Sequence, residues 1–196
     1  MGKSFFILWG KSASGKDRIY SILSKDESLG LKRLVLYTTR PIRAGEENGR
    51  EYYFTDENRL EEFRKTNRLI ESRAYHTVHG IWTYFTADDG QINPQGTDYL
   101  GIGTLESYRK MKEYYGEETV CPIYIQVEDG ERLQRALIRE KQQENPRYAE
   151  MCRRFLADQE DFSEENILAA GIRIRFENDD LDNCVRNIIK YIKSVT

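Results

Sequence analysis

A glycine-rich segment near the start of the chain has the residue types and the spacing to hold phosphate groups. Glycines let backbone N–H groups wrap phosphate oxygens, and a lysine that ends such a loop reaches the β and γ oxygens of ATP. The segment lies between a candidate buried strand and a candidate helix, as this mechanism requires. The pattern G-x-x-x-x-G-K therefore predicts an ATP-binding loop, with Lys16 also catalytic, formed by Gly10, Lys11, Ser12, Ala13, Ser14, Gly15 and Lys16.

The residue after this lysine departs from the usual loop. A serine or threonine hydroxyl usually contacts Mg²⁺ there, but this chain has Asp17. A carboxylate is a hard oxygen ligand that can hold Mg²⁺, whereas an acidic residue in the first turn of a helix is also favoured by the helix dipole alone. Both interpretations stay open. Under the first, Asp17 belongs to the ATP site and is the magnesium ligand.

Residues 37–54 carry a second set of groups suited to phosphate. Arg40 and Arg43 supply two guanidinium groups on one loop, and Tyr52 follows an Asn-Gly turn that can fold its hydroxyl back toward them. Together these three side chains form a candidate clamp for a phosphate monoester. The alternative is a solvated charged loop, and residue types alone do not separate the two.

Strands and helices must position these groups. Strand-like runs occur near residues 4–9, 33–37, 119–127 and 172–176. Apolar residues at three- or four-residue spacing predict helices over residues 16–24, 57–65, 104–115, 130–143, 148–162 and 181–194. This alternation indicates an α/β fold in which helices flank a mainly parallel sheet, and the phosphate-binding loop makes the fold one of the P-loop NTPase type.

The middle of the chain has a different texture. Short strand-like runs separated by Asn-Gly, His-Gly and Asp-Gly turn signals predict a small mixed or antiparallel β subdomain inserted in the core, with a hairpin turn at residues 88–90. We expect a single domain. Its parts are a core of residues 1–38, 99–130 and 165–196, the inserted subdomain of residues 39–98 and a helical segment of about residues 131–164.

Residues 37–54 strongly resemble the GMP-binding signature of guanylate kinases, T-T-R-x-P-R-x-G-E-x-x-G-x-D-Y-x-F, and the run N-D-D-L-D that begins at Asn178 resembles a later motif of that family. The resemblance implies ATP- and Mg²⁺-dependent phosphoryl transfer to a nucleoside monophosphate, with GMP as the leading acceptor. It implies ATP binding by Asn178 and acceptor binding by Arg40, Arg43, Tyr52, Glu71, Tyr84 and Thr86. It also implies that residues 39–98 form an acceptor-binding subdomain and that about residues 131–164 form a mobile helical lid, with catalytic arginines at Arg135, Arg139 and Arg154, for which surface ion pairs are the alternative.

Three departures from the family pattern bear on guanine specificity. Leu36 stands where the family has a serine, and a longer insertion covers residues 87–98. Gly101 and Gly103 replace the two carboxylates of a D-x-D motif, of which one serves Mg²⁺ and the other guanine. Asp17 is our candidate replacement for the lost metal ligand. The alternatives are a kinase for another phosphate-bearing acceptor, such as dGMP or a ribose bisphosphate, and a catalytically weak module that binds phosphorylated ligands.

Composition excludes some broad classes of partner. The chain has 30 basic and 33 acidic residues and a formal net charge of −3, so no overall positive field indicates nucleic acid or an anionic membrane. The apolar run at residues 5–9 is too short for a signal peptide or a membrane span. We expect a cytoplasmic monomer or dimer with reduced cysteines, whose partners are small nucleotides.

Overall fold

The computed structural model describes residues 5–77, 80–93 and 96–196. The strands are β1 Phe5–Trp9, β2 Lys32–Arg33, β3 Tyr37–Thr38, β4 Tyr53–Phe54, β5 Leu69–Thr77, β6 Gly80–Ala87, β7 Tyr99–Ile102, β8 Val120–Gln126 and β9 Arg175–Glu177. The α-helices are α1 Lys16–Leu23, α2 Glu57–Lys65, α3 Leu105–Tyr115, α4 Asp129–Lys141, α5 Tyr148–Asp161, α6 Glu164–Ala169 and α7 Leu181–Val195.

The larger sheet is the core. Its order is β2-β7-β1-β8-β9, and every neighbouring pair is parallel. Successive side chains of a strand point to opposite faces, so the apolar run of β1 divides between two clusters. Phe5, Ile7 and Trp9 pack on one face, and Phe6 and Leu8 pack on the other. Helices cover both faces, which confirms the predicted α/β class with a parallel sheet.

The six helices predicted from the sequence are present within two residues at each end. Helix α6 was not predicted. Strand β7 was also absent from the strand-like runs, because it has only four residues and one of them is Gly101, yet it pairs with the central strand β1. No helix in the described part of the chain is long and apolar enough to cross a membrane.

The smaller sheet has the order β4-β3-β6-β5 and contains both parallel and antiparallel pairs. Helix α2 packs on it through Leu60 and Phe63, which meet Phe85 and Ala87 of β6. The long antiparallel pair is β5 with β6, in which Glu71 lies opposite Thr86. The sheet therefore holds three of the predicted acceptor residues, Glu71, Tyr84 and Thr86, on adjacent strands.

The predicted hairpin at residues 88–90 was wrong. After β6 ends, the next strand is β7, which lies in the core sheet rather than beside β6. The turn residues have another use: the Tyr37 hydroxyl donates to Asp89, and the Asp88 N–H donates to Arg68 O at 2.8 Å. These bonds anchor the end of β6 while the chain leaves for the core.

Candidate active site

The glycine-rich loop joins β1 to α1, as its pattern predicted. Gly15 adopts φ 86°, a left-handed conformation that favours glycine, and a Cβ there would lie 2.5 Å from Asn178 Nδ2. That amide donates to Ser14 O at 2.8 Å, and Asn178 is only 4% exposed. Asn178 thus supports the loop from behind. A contact between Asn178 and the adenine of ATP stays a prediction.

Lys16 stands at the first residue of α1 and lines a cavity of about 930 Å³ together with Gly10 and Ser12 of the loop. Within the described residues its ammonium group has no hydrogen-bond or ion-pair partner, so it is available to a phosphate oxygen. Asp17 is exposed in the first turn of α1. No group of three or more His, Cys, Asp or Glu side chains that could hold a metal ion occurs in the described ranges, so Asp17 is not part of a preformed metal cage.

A buried ion-pair network holds the outer side of the loop, and sequence reasoning missed it. Arg132 of α4 is 1% exposed and donates to Ser12 O at 2.9 Å, to Asp129 at 2.7 Å and to Asp158 at 3.3 Å. Asp158 of α5 accepts from the Ser12 N–H at 2.7 Å. One backbone donor of the loop is therefore already bonded to an anionic oxygen from the helices assigned to the lid.

Lys11 extends this network along the loop. Its Nζ donates to Gln159 at 2.6 Å and to Asp129 at 3.3 Å. Burial raises the pKa of Asp129, but hydrogen bonds from Gln159, Arg132 and Lys11 outweigh that effect and hold its pKa at about 2. Asp129 is accordingly ionised at neutral pH and binds both cations.

Arg40 is the most buried member of the predicted acceptor clamp. It is 3% exposed, its two Nη atoms donate to Glu46 at 2.9 and 2.8 Å, and the guanidinium lies 5.5 Å from the ring centre of Tyr52. The bond to Glu46 raises the pKa of Arg40, so the side chain stays cationic. Its Nε is buried and has no hydrogen-bond partner within the described residues. A buried, unpaired N–H on a cation is suited to an anionic oxygen.

The other two clamp residues differ in how firmly they are placed. Burial raises the pKa of Tyr52, so its hydroxyl keeps its proton and can donate to a phosphate. The ring of Tyr52 packs edge-on against Tyr84 at 5.4 Å. The side chain of Arg43 is exposed, its backbone N–H donates to the Glu46 carboxylate at 2.8 Å, and its carbonyl accepts from the Glu46 N–H at 3.1 Å. The structure therefore brings Arg40, Tyr52 and Tyr84 together and leaves Arg43 at the surface.

Glu71 and Thr86, the predicted base-reading residues, face each other across β5 and β6. The Thr86 hydroxyl donates to Glu71 Oε1 at 2.8 Å, and both residues are buried. Arg73, which sequence reasoning missed, donates from Nε to Glu71 Oε2 at 3.1 Å. A signal was available, since residues two apart on a strand share a face.

The glycines in place of the D-x-D motif lie at the end of β7, beside the loop. A Cβ at Gly101 would lie 3.1 Å from Ile7 Cδ1 and from Leu34 Cδ2. A Cβ at Gly103 would lie 2.4 Å from Ser107 Oγ. A side chain at Gly103 would therefore have to displace Ser107 Oγ, whereas one at Gly101 would need only small shifts of Ile7 and Leu34.

The three predicted catalytic arginines differ in their contacts and exposure. Arg135 donates to Glu131 at 2.8 Å and to Asn178 O at 3.0 Å, which places it against the segment that supports the loop. Arg139 is exposed one turn further along α4. Arg154 of α5 is 3.8 Å from Glu150. Of the three, Arg135 is the one that the structure links to the ATP loop.

A parallel sheet whose central strand leads through a glycine-rich loop into a helix defines an α/β protein of the P-loop class. The guanylate kinase family model matches residues 2–195, and the chain belongs to this family. Its enzyme class is nucleoside monophosphate kinase.

Individual relatives agree with this assignment. The chain is 29% identical to a guanylate kinase of Porphyromonas gingivalis over 189 residues, which cover 95% of this chain and 94% of the relative. It is 39% identical to a guanylate kinase of Lactobacillus johnsonii over 73 residues, only 36% of that relative. The crystal structure of guanylate kinase from Anaplasma phagocytophilum matches with a TM-score of 0.61 at 19% identity, covering 97% of this chain and 85% of that one. This last match shows the fold.

Proposed function

We propose that the chain transfers the γ-phosphoryl group of ATP to a nucleoside monophosphate in the cytoplasm, with GMP as the leading acceptor. The observation that carries the proposal is the cavity of about 930 Å³, whose walls include both the ATP loop and strand β5 of the small sheet. Lys16 and residues 72–75 both line this cavity. A phosphate bound by Lys16 therefore faces a space shared with the small sheet, into which an acceptor held by Arg40, Arg43 and Tyr52 would have to extend.

On the donor side, the loop amides and the unpaired Lys16 ammonium bind the phosphates and stabilise the charge that develops during transfer. Mg²⁺, when bound, neutralises charge on the β and γ oxygens. Asp17 is the residue proposed to hold it. A single exposed carboxylate suits this ion, which usually keeps several of its waters.

On the acceptor side, Arg40, Arg43 and Tyr52 hold the monophosphate. Arg40 is fixed in advance by Glu46 and by the Tyr52 ring, which lowers the entropy lost when the acceptor binds. The attacking group is an ionised phosphate oxygen, so no general base is needed. Closure of α4 and α5 would bring Arg135, Arg139 and Arg154 toward the transferring group.

A coupled ADP-release assay with each nucleoside monophosphate, dGMP and a ribose bisphosphate tests the proposal. We expect turnover with GMP, and a loss of about 10²-fold or more in kcat for Lys16→Met, because a cation on the transferring phosphate is removed. Lys25→Met, at an exposed lysine just after α1, is the matched control and should keep full activity. Binding of a phosphate ligand without turnover of any acceptor would refute the proposal and favour the binding module.

The metal assignment needs its own variants. Asp17→Ala should raise the Mg²⁺ concentration required for half-maximal rate, because the protein ligand is lost. Asp17→Ser restores the usual hydroxyl. A serine variant with the same Mg²⁺ dependence and rate as the original protein would show that the carboxylate has no special role.

A further inference from the structure

Arg73 is a cation in the acceptor subdomain that the mechanism above does not use. It lines the same cavity as Lys16, and its side chain is 15% exposed. Its Nε–H is bonded to Glu71, whose side chain is 2% exposed. The two Nη groups of Arg73 have no hydrogen-bond partner within the described residues. They are free to bond to a ligand in the cavity.

This contact changes what Glu71 can recognise. A carboxylate reads guanine by accepting from its ring N–H and from its exocyclic amine, which together need both oxygens. Here Thr86 donates to Oε1, and Arg73 donates to Oε2. Each oxygen keeps a second acceptor site, but guanine must share this carboxylate with a guanidinium that is attached to the same strand and already neutralises its charge. Gly101 and Gly103 supply no second carboxylate to share this task.

We infer that Arg73 is a specificity-determining residue that weakens selection for guanine and favours a nucleoside monophosphate whose base presents carbonyl oxygens at this edge. This inference rests on the proposed function. Its physical basis is a change in hydrogen-bond polarity: the guanidinium neutralises the Glu71 acceptor and adds its own Nη donors to the cavity. A site built for one pattern rejects the opposite one because buried polar groups are left unpaired.

GMP and xanthosine monophosphate are the matched probes, since the second carries a carbonyl oxygen at C2 where the first carries an amine. Kinetics and calorimetric binding are measured with both acceptors for the original protein, Arg73→Met and Arg73→Gln. In Arg73→Met, the ratio of kcat/KM for GMP over xanthosine monophosphate should rise about tenfold or more, the size of one hydrogen bond to a charged group. The KM for GMP should fall, while the KM for ATP stays the same. Arg73→Gln keeps an N–H donor without charge and should give an intermediate ratio.

Arg64→Met is the control, because Arg64 is an exposed arginine of α2 that pairs with Glu61. It should leave the ratio unchanged. An equal ratio in Arg73→Met and the original protein, with both acceptors turned over, would overturn the inference and leave the proposed function standing. A shifted ratio of dissociation constants without turnover would support the inference and refute the kinase proposal. Failure of both nucleotides to bind any variant would overturn both.

Discussion

Gly103 offers a sharp test of why this chain lacks a carboxylate beside its ATP loop. In Gly103→Ala the new Cβ would lie 2.4 Å from Ser107 Oγ, well inside van der Waals contact. Ser107 is not free to move, because its Oγ accepts from the Thr104 N–H at 2.9 Å in the capping box that begins α3. We expect Gly103→Ala to lower the free energy of unfolding by about 2 to 3 kcal/mol, from overpacking and a broken cap.

A double-mutant cycle isolates this clash. Ser107→Ala alone loses the cap bond and should cost about 1 kcal/mol. In the double variant the Oγ is absent and the nearest atom at position 107 is the Cβ at 3.7 Å, while Ile7 Cγ2 stays at 3.1 Å. We therefore expect the pair to cost at least about 1 kcal/mol less than the sum of the single changes. Urea unfolding followed by circular dichroism provides the three values. Additivity within about 0.5 kcal/mol would refute the reasoning.

Three other features lead to predictions. Asp158→Asn removes the negative charge that competes with an ATP phosphate for the Ser12 N–H, so the KM for ATP should fall by about three- to tenfold. The thermal unfolding temperature should drop at the same time. An unchanged KM would contradict this prediction. The pKa of Asp129 is lowered from 3.8 to about 2, so the ionised carboxylate stabilises the fold above about pH 4, and this contribution is lost as the pH falls toward 2. In Asp129→Asn the urea midpoint should therefore depend less on pH between about 4 and 2. Burial raises the pKa of Cys184 to about 11 whereas Cys152 is exposed, so a thiol reagent at pH 8 should modify Cys152 first, as peptide mapping would show.

The sequence by itself determined the parts of this protein that depend on local pattern. The apolar run of β1, the spacing of glycines and lysine in the loop and the helical periodicities each follow from sterics and burial over a few residues, and the structure has them where they were predicted. Glu71 and Thr86, which the family resemblance assigned to the same base, also lie opposite each other, although they belong to different strands. Short strands could not be predicted in this way. Strand β7 has only four residues, one of them Gly101, which is too short a run to show a strand pattern.

Only the tertiary structure decided which side chains meet across long stretches of chain. Arg132 contacts Ser12, 120 residues away, and both depend on how α4 docks beside the loop. The clash between Gly103 and Ser107 depends on the exit angle of β7 into α3, which no residue pattern encodes. These contacts arise from sheet order and helix docking, whereas sequence patterns report only on neighbours along the chain. The phosphate-binding loop and the family could therefore be predicted from the sequence, and the long-range contacts around the site could not.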